Sequence, residues 1–220
     1  MKLKLFIFLF SVVIISSCED KITNKPSLDF KTNYFPLFIG KSIQYNVDSL
    51  VYSNFSQNGS IDTIRYQFKD SVVSFENETY FVNRYRRNQS INSWKLLKIY
   101  TVKKTKEAVL QTEDNLTFVK LVFPVLLNKK WDSGSFFNGS TNQDYEYIQV
   151  DQPMLVNQFQ FDSVINVLQV DTINLIRETS ANEFYAKNVG LIKIELTDLV
   201  KDSIGAFPNG TKVITTIKKY

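Results

Sequence analysis

The sequence predicts a mainly β fold, an antiparallel curved sheet or open barrel carrying one short helix. Composition points there first: 18 Phe and 11 Tyr accompany plentiful Val, Ile and Thr, residues that fit a pleated, half-buried surface. Apolar and polar residues alternate with a period of two in several segments, the signature of strands with one buried face. The intervals between these segments are built from Asn, Asp, Glu and Ser, residues that favour turns.

In chain order, Ile43, Tyr45 and Val47 alternate with Gln44, Asn46 and Asp48, which places three apolar side chains on one face of a strand. The phase changes at Ser49, after which Leu50 and Tyr52 form the apolar set, so a bulge is expected near Ser49. Asn58-Gly59 tolerates the positive φ of a tight hairpin, and Ile64, Tyr66 and Phe68 then alternate with Arg65, Gln67 and Lys69. Further strands are expected at Ser71 to Phe75, Thr79 to Arg87, Trp94 to Lys103, Ala108 to Thr112 and Leu116 to Val122. Phe136 to Asp144 reads as a loop, after which strands resume at Tyr145 to Val150, Val164 to Val170 and Thr172 to Glu178.

Ser180-Ala181-Asn182-Glu183 has the spacing of a capping box, and Asn188 and Gly190 stand where a helix ends, which predicts a short helix of about two turns. Ile192, Ile194 and Leu196 alternate as a strand. Val213 to Lys218, after a turn at Pro208-Asn209-Gly210, closes the chain as the last one.

The segment Phe35-Pro36-Leu37-Phe38-Ile39-Gly40-Lys41-Ser42-Ile43 aligns without gaps to Phe123-Pro124-Val125-Leu126-Leu127-Asn128-Lys129-Lys130-Trp131. Either two strand entries coincide after a proline, or the domain holds two similar sheet halves. These two segments, with Glu183-Phe184-Tyr185-Ala186-Lys187-Asn188-Val189-Gly190-Leu191-Ile192-Lys193, resemble uncharacterised bacterial envelope lipoproteins of the Bacteroidetes type. Those are similar to TapB-type proteins and, more remotely, to the curved sheets of the LolA and LolB carriers. The resemblance spans about residues 34 to 200 and implies an envelope protein without catalytic residues. Ile43 stands where that pattern has tryptophan, and Asn128 where it has glycine.

The N-terminus carries an address. Lys2 and Lys4 precede an apolar run from Leu5 to Ile15, roughly half the ~20 residues needed to cross a bilayer as a helix. Ile15-Ser16-Ser17-Cys18 resembles a lipobox, in which the cysteine becomes the first mature residue and takes a diacylglyceryl group and further acyl chains such as palmitate. This divides the chain into a signal peptide (residues 1–17), a flexible tether (18–30) and a single β-rich domain (31–220). Cys18 is the only cysteine, so no disulfide forms within one copy. Each buried acyl CH₂ contributes ~0.8 kcal/mol, so two or three chains hold a protein on a membrane. Glu19 and Asp20 resemble the export signal of Bacteroidetes surface lipoproteins, whereas in enteric bacteria an acidic residue there accompanies inner-membrane retention.

Composition also excludes. The chain has no histidine, which removes the usual general base, the commonest metal ligand and any Ser-His or Cys-His nucleophile. Beyond residue 17 the net charge is only slightly positive, which argues against nucleic acid as a partner.

Three motifs could carry function. Eight basic residues and no acid lie between Arg84 and Lys106, with Arg86 expected opposite Lys95. Arg84, Arg86, Arg87, Lys95 and Lys98 form a candidate patch for an anionic glycan or headgroup, the alternative being a solvated hairpin face neutralised by nearby acids. Seven of thirteen aspartates precede Ser or Thr, six of them continuing with an aliphatic residue. That pattern is similar to a Bacteroidetes O-glycosylation sequon with Ser49, Thr63, Ser71, Ser163, Thr172 and Ser203 as acceptors; the alternative is Asp-Ser or Asp-Thr opening a strand. Asn138, Ser140, Asn142 and Asp144 have a faint calcium-loop spacing but a single carboxylate, so no metal is expected. The expectation is a lipid-anchored envelope protein of the outer membrane. It would be a non-catalytic binding module for an apolar or glycan ligand, without cofactor, the alternative being a structural or adaptor subunit with an envelope protein partner.

Overall fold

The computed structural model describes residues 29–53, 60–88, 93–134, 144–201 and 209–220. After a single 3-10 turn at Thr32–Tyr34, these residues form β1 (Ser42–Ser53), β2 (Ser60–Glu76), β3 (Thr79–Asn88), β4 (Lys95–Lys104), β5 (Ala108–Glu113) and β6 (Leu116–Val122). They continue with β7 (Lys130–Asp132), β8 (Asp144–Val156), β9 (Phe159–Ile173), β10 (Arg177–Ala186), β11 (Gly190–Val200) and β12 (Asn209–Lys219). All pair antiparallel in one sheet of order β6-β5-β4-β3-β2-β1-β12-β11-β10-β9-β8-β7. The first and last strands meet at β1 and β12, and the sheet coils into a nearly closed barrel.

One backbone bond and two side chains draw the two sheet edges together. Val119 N–H donates to Ser133 O at 2.9 Å, and Trp131 Nε1 donates to Val119 O at 2.8 Å. The Tyr147 hydroxyl accepts from Val122 N–H at 3.0 Å and donates to Val122 O at 2.8 Å. Backbone groups that an open edge would leave unpaired are therefore satisfied without a continuous ladder.

The first hairpin has the expected face: Ile43, Tyr45 and Val47 are buried, with Tyr45 opposite Phe68 and Val47 opposite Tyr66. Asn58-Gly59 lies outside the described residues. The expected bulge at Ser49 is absent. β1 pairs with β2 in unbroken register from Ser42↔Ser71 to Ser53↔Ser60, and the only shift, against β12, falls between Gln44 and Tyr45. Leu50 and Tyr52 change the pattern because the strand end runs out of the core, where both faces are half-exposed. Two hairpins turn on residue pairs with positive φ, Asn77-Glu78 and Asp114-Asn115, as two-residue connections between right-twisted strands require.

The predicted helix at Ser180–Glu183 is not there. Residues 177–186 form β10, paired along its length with β9 and β11. The three-residue spacing that suggests a cap puts Ser180 and Glu183 on opposite faces of a strand, where the alternating set is Ala181, Glu183 and Tyr185. Those three are buried, and burial decided the conformation.

The core has two parts. One joins Val72, Val82, Tyr100, Val102, Leu121, Tyr147, Ile165 and Tyr185 around the barrel, with Tyr34 beneath them. The other joins Ile43, Tyr45, Val47 and Phe68 to β10–β12 and to the tip of the β8–β9 hairpin. Asn157 at that tip donates to Ile217 O at 2.8 Å.

The internal repeat is also structural. Lys41 N–H bonds Phe38 O at 3.2 Å, and Lys129 N–H bonds Leu126 O at 3.2 Å. Gly40 and Asn128 both have positive φ, 88° and 62°. Gly40 N–H donates to Val72 O and Val72 N–H to Lys41 O, while Asn128 N–H donates to Tyr147 O and Tyr147 N–H to Lys129 O. Lys41 Nζ turns back to Pro36 O at 2.8 Å, and Lys129 Nζ to Phe123 O at 3.1 Å and Pro124 O at 3.3 Å. One such turn opens β1–β6 and the other β7–β12. The two differ at the X–Pro bond, which is cis at Phe123-Pro124.

Candidate functional site: a charged chamber in the barrel

A chamber of about 140 Å³ lies inside the barrel. The turn segment Phe35–Leu37, which precedes β1, closes one side of it, and Val82, Val102, Leu191 and Ile194 supply apolar wall. Set into this wall are Lys41, Asp70, Arg84, Lys120 and Glu183.

These charges are held in place by their strands. Asp70 on β2 and Arg84 on β3 are register partners, so the guanidinium meets the carboxylate as a bidentate fork, Nε and Nη2 each 2.7 Å from an oxygen. The guanidinium also lies over Phe68 at 4.5 Å and Tyr100 at 5.2 Å. Burial alone would lower the Arg84 pKa, but the Asp70 carboxylate outweighs it and raises it, so the guanidinium stays charged. Lys120 on β6 reaches across to Glu183 on β10, Nζ to Oε1 2.5 Å, and the Tyr185 hydroxyl donates to the other carboxylate oxygen. Burial, reinforced by nearby carboxylates, pushes the Tyr45, Tyr100 and Tyr185 hydroxyls well above the usual phenol range. They are neutral donors at any physiological pH.

Among the described residues, no carboxylate is bonded to Lys41. Its ammonium donates to Pro36 O and to Val189 O at 2.7 Å, and Lys104 Nζ donates to Thr32 O and Phe35 O at 2.7 and 2.8 Å. Burial, with the nearby charge of Lys104, lowers the Lys41 pKa to about 8. A second cluster fixes the same entry segment from outside the chamber. Asp151, with positive φ, accepts from Lys31, the Tyr34 hydroxyl and Ser163 Oγ.

The predicted basic patch is divided by the fold. Arg84 belongs to the chamber, and Lys98 is paired with Glu113. Arg86 lies over Tyr66 at 4.0 Å, while Arg87 bonds Gln67 at 2.7 Å and stacks on Trp94 at 4.4 Å. Arg86 does face Lys95 in register, and these two, with Arg87, Leu96 and Leu97, border a shallow surface depression.

Of the candidate glycosylation positions, Thr63 and Thr172 are exposed and Ser49 and Ser71 half-buried. Ser71 Oγ lies 3.2 Å from Ser42 Oγ, Ser163 is engaged by Asp151 and Tyr34, and Ser203 lies outside the described residues. The five described positions sit inside strands, so Asp-Ser and Asp-Thr do not open strands here. Cys18, Asn138, Ser140 and Asn142 lie outside the described residues, and Asp144 begins β8.

Sequence reasoning missed Lys41, Asp70, Lys120 and Glu183 as site residues. A signal for Lys120 exists: it is the only charged residue in the run Leu116 to Leu127, and a charge inside an apolar strand asks for a buried partner. Glu183 was hidden by its capping-box spacing.

No family model and no curated protein matches the chain. Among solved structures, a candidate lipoprotein from Parabacteroides distasonis covers 84% of this chain and 97% of its own at 11% identity, with a TM-score of 0.46. A candidate exported protein with a YmcC-like fold from Bacteroides fragilis covers 84% and 97% at 10% identity, with a TM-score of 0.39. These likenesses assign the chain no activity.

Proposed function

We propose that this is a lipid-anchored protein of the bacterial cell envelope that binds a small organic molecule in its barrel chamber. The anchor reading is supported by the Leu5–Ile15 run and the Ile15-Ser16-Ser17-Cys18 sequence. The chamber reading is carried by one observation: about 140 Å³ stands open against both apolar wall and five charged side chains. A concave, partly apolar site with a few convergent polar groups is the usual form of a ligand pocket. Its size is near that of an apolar cavity that takes benzene, at about 150 Å³, so a long acyl chain does not fit. Three cations face two carboxylates, which favours a ligand with an anionic head on a short apolar body.

The test is thermal denaturation with short carboxylates such as butyrate and benzoate, against their matched alcohols. Saturating ligand at 100 times its Kd stabilises by about 2.7 kcal/mol. The carboxylates should raise Tm, and Ile43→Trp, which fills the chamber from β1 as Trp131 fills its own site in the repeat, should abolish the shift. No shift with any probe, together with native mass spectra of the gently purified protein showing no added mass, would reject the chamber reading. The alternative, an adaptor subunit, is supported if a stable envelope protein co-purifies.

A further inference from the structure

We infer that the end of the barrel at which β1 and β7 begin is seated in the surface of the lipid bilayer, through two pairs of apolar side chains on the repeated turns. This rests on the lipid-anchor reading of Cys18. Six antiparallel steps separate β1 from β7 in the sheet, so the two strands run in the same direction and their entry turns lie at the same end. The first turn presents Phe38 and Ile39, 59% and 60% exposed, and the second presents Leu126 and Leu127, 49% and 57% exposed. Phe38-Ile39 lies between the partly buried Leu37 and Gly40, and Leu126-Leu127 between the buried Val125 and Asn128, Gly40 and Asn128 both being positions of positive φ.

The chain outside the described residues ends at this same rim. Asp29 is the first described residue, and the carbonyl of Phe30, itself exposed, accepts from Val125 N–H at 3.4 Å, directly beside the second turn. Ten residues separate Cys18 from Asp29, which at full extension reach at most about 40 Å. An acylated Cys18 therefore keeps the point where the chain joins this rim within about 40 Å of the bilayer. Four large apolar side chains facing solvent on two turns beside the tether's attachment are favourable for an end seated at the headgroup boundary, and it is the tether that selects this end, since the opposite one also exposes Ile173, Leu175 and Ile176.

The barrel sits on the membrane and does not span it. Gln44, Asn46 and Asp48 on β1 and Arg65, Gln67 and Lys69 on β2 occupy the face opposite the buried set, where a spanning barrel carries an apolar band. Exposed Lys106 and Lys187 at the same end are matched by exposed Glu78 and Glu107, so attachment here is apolar and should vary little with salt.

The experiment uses the full chain, expressed with acylation and reconstituted into vesicles of phosphatidylethanolamine and phosphatidylglycerol. Because the thiol of Cys18 is consumed by the lipid, single replacements Ile39→Cys, Leu127→Cys and, at the opposite end, Leu116→Cys can each be labelled with an environment-sensitive fluorophore. Quenching by lipids brominated near the glycerol end of the chains should abolish emission at positions 39 and 127 and leave 116 unchanged. Intact mass of each sample reports acylation separately. Acylated, vesicle-bound protein with 39 and 127 open to aqueous iodide would overturn the seating and leave the anchor standing. Labels shielded from both iodide and lipid would also overturn it, showing that a second copy or another protein covers the rim. Absence of acyl mass would remove the anchor reading and this inference with it.

Discussion

Glu183→Leu distinguishes the observed barrel interior from the helix cap that its spacing suggests. In the barrel, the substitution leaves the Lys120 ammonium without its carboxylate at a site where the side chains are only 14% and 9% exposed. Breaking a buried pair by removing one partner costs about 3–5 kcal/mol, because the remaining charge stays desolvated. Tyr185 loses its acceptor as well, an unsatisfied hydroxyl worth about 1–3 kcal/mol that overlaps with the first loss because both partners contact the same carboxylate. For a domain of this size each 1 kcal/mol moves Tm by about 2–4 °C, so a fall of roughly 6–20 °C is expected.

Urea denaturation gives the free energy directly, provided the slope is unchanged between variants. The decisive comparison is the double variant Lys120→Met/Glu183→Leu. With both charges gone the site becomes apolar, and replacing a buried pair by hydrophobic residues is often neutral or stabilising by about 1–4 kcal/mol. The double variant should therefore be more stable than Glu183→Leu alone. A single-variant loss below about 1 kcal/mol, the range of an exposed pair, would refute the placement of Glu183 in the interior. So would a double variant no better than the single one.

Three further outcomes follow from particular groups. Burial alone would raise the Asp151 pKa, but Lys31, Tyr34 and Ser163 outweigh it and hold it at about 2, below its usual 3.8. Its stabilisation is therefore complete above about pH 4 and lost as pH falls toward 2, and Asp151→Asn should flatten that limb of an acid denaturation curve. Lys41 titrates near 8 in the folded chain and near 10.5 unfolded, so between those values the unfolded state binds more protons and stability rises with pH. Lys41→Met should remove that rise, read by denaturation at pH 7.5 and 9.5; a neutral amine keeps two N–H donors, so both carbonyl bonds survive deprotonation. Gly210 has φ of 137°, and a Cβ there would meet Asp198 O at 2.1 Å. Gly210→Ala should cost about 1–3 kcal/mol or more in urea denaturation, since that backbone region is essentially restricted to glycine.

The alternation around Tyr45 and Phe68 made the first hairpin legible, because period two leaves no other way to bury three apolar residues together. β6 was legible to its end residues for the same reason. β7 was not: it is three residues long and exists because Trp131 bonds the far edge of the sheet, a contact between strands at opposite ends of the sheet order. The chamber was illegible for a related reason. Asp70 and Arg84 lie on one hairpin, but Lys120 and Glu183 come from the two halves of the chain and meet only when the sheet coils. Local pattern reports which residues share a face; it does not report which faces meet.

The repeated turn joins these observations. A segment that leaves strand geometry to make a tight turn exposes carbonyls that the sheet cannot bond, and at both turns a lysine six residues after the phenylalanine returns to supply the donor. That requirement explains why Phe, Pro and Lys are the identities shared by two otherwise divergent segments. It also explains why glycine and asparagine can exchange at the positive-φ position, since both tolerate it. The next residues of the repeat then diverge in what they fill. Trp131 occupies its site and bonds the sheet edge, whereas Ile43, smaller at the corresponding position, borders the chamber. Burial lowers the pKa of Lys41 and of Lys129 alike, and beside that opening Lys104 lowers that of Lys41 as well. The same local motif thus closes the sheet in one half and leaves room beside a buried amine in the other.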